Sequence, residues 1–209
     1  IIEIETELKK RLKYPYKWGQ KQNDNDDKKT NFIYHTFYFN QLIEKIKNEF
    51  KNESDYKQLA NYALNRWYNF WSAMAVEKIF CSLPNVKPAL NKYNKLVDFT
   101  INGIQFDHKT TVFPKGYNNS FEYAKNNPTK IIRWLYANQS QEQRKHFRNR
   151  LFIILYNSTG EHWKLKAEIS IMKDQILNYV KNFNKNSLIN FHHKDGYDIY
   201  SDVIWIRQL

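Results

Sequence analysis

Apolar side chains recur every three to four residues in several stretches of the chain, which is the spacing of an amphipathic helix. One short stretch includes Leu8, one runs from Phe39 to Phe50, and one runs from Ile169 to Phe183. A longer stretch, Asp55–Cys81, is apolar nearly all round in its second half, which predicts a buried helix. A further helix is predicted to begin at Pro128, because proline is favoured at the first helical position.

Other stretches have the pattern of β-strands. Leu151–Asn157 is a continuous apolar run, typical of a strand inside a sheet. His162–Ala167 alternates between polar and apolar residues and predicts a strand with a basic face, and Val203–Arg207 predicts a final strand. Two apolar-rich runs within Lys95–Phe113 flank Asn102-Gly103. This dipeptide predicts a hairpin, because a type I′ turn requires positive φ at both central residues.

These elements follow one another as helix, hairpin, helices, strand, strand, helix and strand. The order predicts an α/β fold with a mixed β-sheet flanked by helices. Residues 1–54 are predicted to form an N-terminal helical extension. Within it, Gln20–Thr30 is polar and has no apolar period, so a flexible loop is expected there. Residues 55–209 are predicted to form one further domain.

A two-residue hairpin loop fixes which residues face each other. Phe99 then faces Phe106, and Asp98 faces Asp107 with their Cβ atoms about 5 Å apart. Lys109 lies on the same face as Asp107, because side chains alternate along a strand. Two facing carboxylates repel each other, so they share a proton, are neutralised by Lys109 or bind a cation. Oxygen ligands in a small cluster suit Mg²⁺, and the lysine suits a phosphate or an attacking water.

Asp98, followed by Asp107-His108-Lys109 on the next strand, resembles the signature of the PD-(D/E)xK nuclease superfamily. That superfamily includes restriction endonucleases, resolvases and repair nucleases. The resemblance covers Arg66–Val112, and Val97 stands where the family name has proline. It implies a restriction endonuclease-like core of αβββαβ order and a Mg²⁺-dependent endonuclease, with Mn²⁺ as a substitute. A restriction-type role is the first expectation, and a resolvase or repair-type nuclease is the second. The alternative is an exposed hairpin with a surface Asp/Lys pair.

The resemblance also implies roles for neighbouring groups. Glu77 stands on an apolar stripe of the long helix, where a carboxylate is costly without a partner. It is expected to join Asp98 and Asp107 at the metal, and an ion pair with Arg66 or a lysine is the alternative. The His108 backbone carbonyl is a further candidate metal ligand, whereas the His108 side chain points away and is expected to pack. The expected catalytic residues are Glu77, Asp98, Asp107 and Lys109.

The net charge of +12 predicts a polyanionic partner. Residues 1–54 carry 11 basic and 9 acidic side chains, whereas residues 55–209 carry 22 and 12. Residues 125–150 alone hold 7 basic and 1 acidic. We therefore expect DNA, in double-stranded form, to be held beside the metal, and a solvated helix face is the alternative. The expected DNA-binding residues are Lys115, Lys130, Arg133, Arg144, Lys145, Arg148, Lys164 and Lys166.

Several other chemistries are poorly supported. Cys81 is the only cysteine, so an internal disulfide and a thiolate zinc site are excluded. No apolar run approaches transmembrane length and no signal peptide is recognisable, so a cytoplasmic protein without a membrane partner is expected. A homodimer is left open. Two further alternatives also stay open: a non-catalytic nucleic-acid-binding module, and a protein-interaction domain whose basic face is incidental.

Overall fold

The fold is described from a computed structural model of the 209-residue chain. The structure describes residues 1–18, 21–89, 97–138, 148–192, 196 and 198–208. The chain divides into two compact units. The first comprises Ile1–Ala75 with Lys166–Ser170, and the second comprises Val76–Leu165 with Ile171–Leu209. The domain boundary predicted between residues 54 and 55 stays a prediction.

The first unit is helical. Its helices are α1 (Ile2–Lys10), α2 (Asp24–Lys29), α3 (Phe39–Phe50) and most of α4 (Tyr56–Cys81), with 3₁₀ turns at Arg11–Lys13 and Asn31–His35. Helices α1, α3 and α4 confirm the predictions made from apolar periodicity. Leu8, Leu42 and Trp67, one from each of these helices, are fully buried. The second half of α4 is predicted to be buried on all sides. This prediction is wrong at Met74, which is 40% exposed.

Helix α2 corrects the prediction of a flexible loop over Gln20–Thr30. Asn23 caps this helix, because its side chain accepts a hydrogen bond from the backbone N–H of Asp26 at 2.9 Å. The Tyr62 hydroxyl of α4 donates to the carboxylate of Asp27 at 2.7 Å. A six-residue helix is too short to display an apolar period, and these polar contacts order it instead.

The second unit contains a mixed six-stranded sheet. Its strands are β1 (Val86–Pro88), β2 (Phe99–Ile101), β3 (Ile104–Val112), β4 (Arg150–Asn157), β5 (Ile189–His192) and β6 (Asp198–Gln208). Their order in the sheet is β1-β2-β3-β4-β6-β5. Strands β1 to β3 form an antiparallel meander, β4 runs parallel to both β3 and β6, and β5 is antiparallel to β6. The predicted α/β class with a mixed sheet is confirmed.

Helices flank the sheet on both faces. Helices α5 (Phe121–Asn126) and α6 (Pro128–Asn138) pack on the face that carries Phe152 and Val203. Pro128 is the first residue of α6, as predicted. The opposite face meets the end of α4, where Phe80 stacks on Phe99 with 4.3 Å between ring centroids. Helix α7 (Ile169–Lys181) confirms a further prediction. None of the helices in the described part of the chain is long and apolar enough to cross a bilayer.

The segment His162–Ala167 is a 3₁₀ helix and not the predicted strand. Both edges of β4 are already paired, with β3 and β6, so the segment that follows β4 has no adjacent edge to join. Leu165 and Ala167 are nevertheless fully buried. Their burial accounts for the alternating pattern that predicted a strand.

The hairpin between β2 and β3 has the predicted turn. Asn102 and Gly103 have φ angles of 47° and 84°, which are positive at both central residues as a type I′ turn requires. The observed pairs confirm the register near the turn: Ile101 with Ile104, Thr100 with Gln105, and Phe99 with Phe106.

Candidate active site

Asp98 lies immediately before β2, and its carboxylate contacts His108. Oδ2 of Asp98 accepts hydrogen bonds from the backbone N–H of His108 at 2.7 Å and from ring atom Nδ1 at 2.6 Å. The Asp98 N–H donates to the carbonyl of Phe106, the residue that already pairs with Phe99. Asp98 and Phe99 thus both lie opposite Phe106, as in a β-bulge. A bulge changes the direction in which a side chain points. The predicted facing of Asp98 and Asp107 is therefore corrected, as is the prediction that His108 only packs.

Asp107 extends from β3 on the α6 side of the sheet. Its Oδ2 accepts a hydrogen bond from Nε of Arg150 at 2.7 Å. The parallel register places these two residues side by side. The guanidinium of Arg150 also lies 5.8 Å from the ring centroid of Tyr136 on α6. The sequence patterns missed Arg150, because its position beside Asp107 depends on the β3–β4 register, for which no local signal exists.

Lys109 is exposed and shares the face of Asp107 on β3. Its charge also reaches Asp98. Burial raises the pKa of Asp98, but hydrogen bonds from His108 and the positive charges of His108 and Lys109 outweigh that effect. The pKa of Asp98 is therefore lowered, and the carboxylate is ionised at neutral pH. An ionised carboxylate is the form that binds a cation.

Glu77 is half-buried near the end of α4, one turn before Cys81. Burial raises the pKa of the Cys81 thiol to about 11, and the negative charges of Glu77 and Asp98 contribute. The charges of both carboxylates therefore reach the same thiol. A thiol with this pKa stays protonated at neutral pH, so Cys81 is a poor nucleophile. Arg66, the alternative partner named for Glu77, pairs with Asp27 in the first unit.

The oxygen atoms around the motif suit Mg²⁺, although no cluster of side chains is preassembled. Within the described ranges, no three His, Cys, Asp or Glu side chains form a group that could hold a metal ion. Mg²⁺ usually needs only one or two carboxylates and retains several waters. The N–H and C=O of one strand residue point to the same edge, and the N–H of His108 points at Asp98. The Asp98 carboxylate and the His108 carbonyl therefore lie at one edge of β3 and are oxygen ligands of the kind that Mg²⁺ takes, whereas Asp107 extends towards α6 and pairs with Arg150.

Four of the eight predicted DNA-binding residues are exposed in the second unit. They are Lys115 in the turn after β3, Lys130 and Arg133 on α6, and Arg148 just before β4. Arg144 and Lys145 lie outside the described residues. Each of the four is therefore accessible to the phosphate backbone of a nucleic acid.

Lys164 and Lys166 do not form the predicted basic face, because their segment is a 3₁₀ helix. Lys164 pairs with the carboxylate of Glu161 at 2.5 Å. Lys166 donates to the side-chain oxygen of Asn69 at 2.5 Å and belongs to the first unit. The two ammonium groups therefore have separate protein partners.

No protein-family model, no curated protein and no solved structure matches the chain. The resemblance to PD-(D/E)xK nucleases accordingly rests on the motif residues alone. Function is inferred below from their arrangement.

Proposed function

We propose that the chain is a Mg²⁺-dependent endonuclease of the PD-(D/E)xK type, which hydrolyses phosphodiester bonds in DNA. One contact carries the proposal: the Asp98 carboxylate is hydrogen-bonded to the backbone amide of His108, between Asp107 and Lys109. This hydrogen bond brings Asp98, the first acid of the motif, next to the acid–x–lysine tripeptide Asp107-His108-Lys109, as the motif requires. The order of a long helix, a three-stranded meander, further helices and a parallel strand supports a restriction endonuclease-like core.

The proposed roles follow from the chemistry of each group. Asp98, Asp107 and the His108 carbonyl would hold Mg²⁺, with Glu77 of α4 as a further ligand. Bound Mg²⁺ supplies a Lewis acid that polarises the scissile phosphate and lowers the pKa of bound water. Lys109 orients the attacking water and stabilises the negative charge that develops on the phosphate. Exposed basic residues of the second unit hold the DNA backbone.

A non-catalytic nucleic-acid-binding module is the second candidate. The favouring observation is that each carboxylate already has a protein partner, Asp98 with His108 and Asp107 with Arg150. Such pairs can satisfy buried carboxylates without a metal. Cleavage that depends on a divalent metal separates the two candidates. Among nucleases a restriction-type enzyme is preferred, and discrete plasmid fragments would distinguish it from a resolvase or repair-type enzyme.

Plasmid DNA incubated with the protein in Mg²⁺, in Mn²⁺ and in EDTA tests the proposal. We expect cleavage with either metal and none in EDTA. Lys109→Ala should reduce the cleavage rate by about 100-fold or more, because its ammonium acts on charge that develops in the transition state. DNA affinity measured in EDTA should change by less than about threefold, because Lys109 contributes little to ground-state binding.

Lys87→Ala is the matched control, because it removes an exposed lysine from β1 and should cleave normally. Equal losses of cleavage and affinity in Lys109→Ala would assign that lysine a structural role. A folded protein that binds DNA but cuts it with neither metal would favour the binding module.

A further inference from the structure

Aromatic rings and cations are paired along the outer side of α6 and on the neighbouring strand β5. The guanidinium carbon of Arg133 lies 5.5 Å from the ring centroid of Phe191. The ammonium of Lys130 lies 5.1 Å from the ring centroid of Tyr123 and donates a hydrogen bond to the Tyr123 hydroxyl oxygen. Because Lys130 and Arg133 are one turn apart on α6, the two cation–ring pairs lie on one surface. We call this surface the α6–β5 face.

The two cations of this face remain available to an anion. Helix α6 contains no acidic residue. In the part of the chain that the structure describes, Lys130 and Arg133 contact aromatic rings, and neither pairs with a carboxylate. Phe191 is half-buried against the α6 core, so its ring is held in place while part of it reaches solvent. A fixed aromatic ring beside one available cation, with a second cation one helical turn away, is the combination that binds single-stranded nucleic acid.

The α6–β5 face leads towards the candidate active site. The ring centroids of Phe191 and Tyr136 are 6.1 Å apart. The Tyr136 ring lies beside the guanidinium of Arg150, which pairs with Asp107. A nucleic-acid strand held at Phe191 and Arg133 therefore lies a few side chains away from Asp107 and from the exposed Lys109.

We propose that the α6–β5 face binds an unpaired stretch of DNA, with a base stacked on Phe191 and flanking phosphates held by Arg133 and Lys130. Bases inside a duplex hide their faces in the stack, so a duplex can use the cations but not the ring. Arg133 already covers Phe191, and its planar guanidinium can stack on a base as well as on the ring. The inference rests on the proposed function, because it names the substrate class of that site as DNA with an unpaired segment beside the scissile bond.

Fluorescence anisotropy in EDTA tests this inference by measuring binding without cleavage. The probes are a labelled single-stranded oligonucleotide and the same strand in a duplex. Phe191→Leu should weaken single-strand binding about tenfold, the effect of losing one stacked base, and should change duplex binding by less than about twofold. Phe191→Tyr keeps the ring and should bind as the unmodified chain does. Phe183→Leu is the matched control, because Phe183 is a half-buried phenylalanine beside Phe106, on the opposite face of the sheet.

Each outcome decides the question. Equal weakening of both probes in Phe191→Leu, or no change in either, would overturn the inference. If Phe191→Leu does not fold, Arg133→Ala replaces it and should reduce the salt dependence of single-strand binding by about 0.7 in log–log slope. An unchanged slope would also overturn the inference.

Mg²⁺-dependent cleavage without a preference for unpaired DNA would contradict this inference alone. Single-strand binding without cleavage in any metal would contradict the nuclease function alone.

Discussion

Two half-buried carboxylates of the second unit titrate in opposite directions because their partners differ. Burial raises the pKa of both, but the hydrogen bonds and positive charges around Asp98 lower its pKa overall. For Asp202, hydrogen bonds from the Val203 N–H and the Tyr179 hydroxyl do not outweigh burial, and the pKa is raised. Ionised Asp98 therefore stabilises the fold above the unfolded pKa of about 3.9, and this stability is lost as the pH falls through its folded pKa. Ionised Asp202 destabilises the fold as the pH rises past about 3.9.

Replacing Asp202 by asparagine is expected to stabilise the protein at neutral pH. The asparagine Oδ1 can accept from the Val203 N–H, and its Nδ2 can donate to the Tyr179 oxygen, which reverses the direction of the present Tyr179 hydrogen bond. We expect Asp202→Asn to raise the free energy of unfolding by about 1 kcal/mol at pH 7, measured by urea denaturation. The gain should disappear near pH 3, where aspartate is protonated in both the folded and the unfolded states.

Asp98→Asn provides the comparison of opposite sign. It removes a charged acceptor of two hydrogen bonds from His108 and should lower the free energy of unfolding by about 1–3 kcal/mol at pH 7. Destabilisation by both substitutions at neutral pH would show that burying the ionised Asp202 carboxylate does not destabilise the fold.

At the scale of elements, α2 depends on its cap, because it has no apolar face to dock. The Asn23 side chain accepts from the Asp26 N–H and donates to the Asp26 carboxylate at 2.6 Å. Asn23→Ala removes both contacts and should lower the free energy of unfolding by about 1 kcal/mol, measured by urea denaturation. Asn25→Ala is the matched control, because Asn25 is exposed within the same helix. Equal effects of the two substitutions would show that Asn23 does not act through capping.

Helices long enough to repeat their apolar pattern, and a hairpin with a specific turn, were predictable from the sequence. Helices α3, α4 and α7 carry enough turns to display an apolar period, and the type I′ hairpin depends on only two residues. The elements that were missed are short and ordered by contacts distant in sequence. Strand β5 has four residues and, among the described strands, pairs with β6 alone. The 3₁₀ helix His162–Ala167 follows a strand whose edges are both occupied.

The sequence proposes the residues of the candidate site, and their contacts could not be predicted from it. The turn correctly sets the register from Ile101 to Phe99, but the bulge at Asp98 interrupts it one residue later. Bulges have no reliable sequence signal, so the contact between Asp98 and His108 was not predicted. Pairing across parallel strands is also set by the whole sheet, and this is why Arg150 beside Asp107 was missed.

At the scale of the whole molecule, the uneven charge makes a prediction about DNA affinity. Residues 55–209 hold a net charge of +10, and residues 1–54 hold +2. If a basic residue neutralises a phosphate, its loss lowers the slope of log affinity against log salt concentration by about 0.9 for duplex DNA. Arg148 is exposed just before β4, within the most basic segment of the chain.

Arg148→Ala should therefore weaken duplex binding and lower the magnitude of this slope by about 0.9, measured by anisotropy titrations at several salt concentrations in EDTA. Lys51→Ala removes a positive charge that is also exposed, from the nearly neutral N-terminal part, and should leave the slope unchanged. Because both substitutions lower the net charge by one, any difference between them reports where the charge lies and not its total. Equal slopes for the two variants would mean that DNA responds only to net charge, and that residues 125–150 are a solvated surface without a dedicated role in binding.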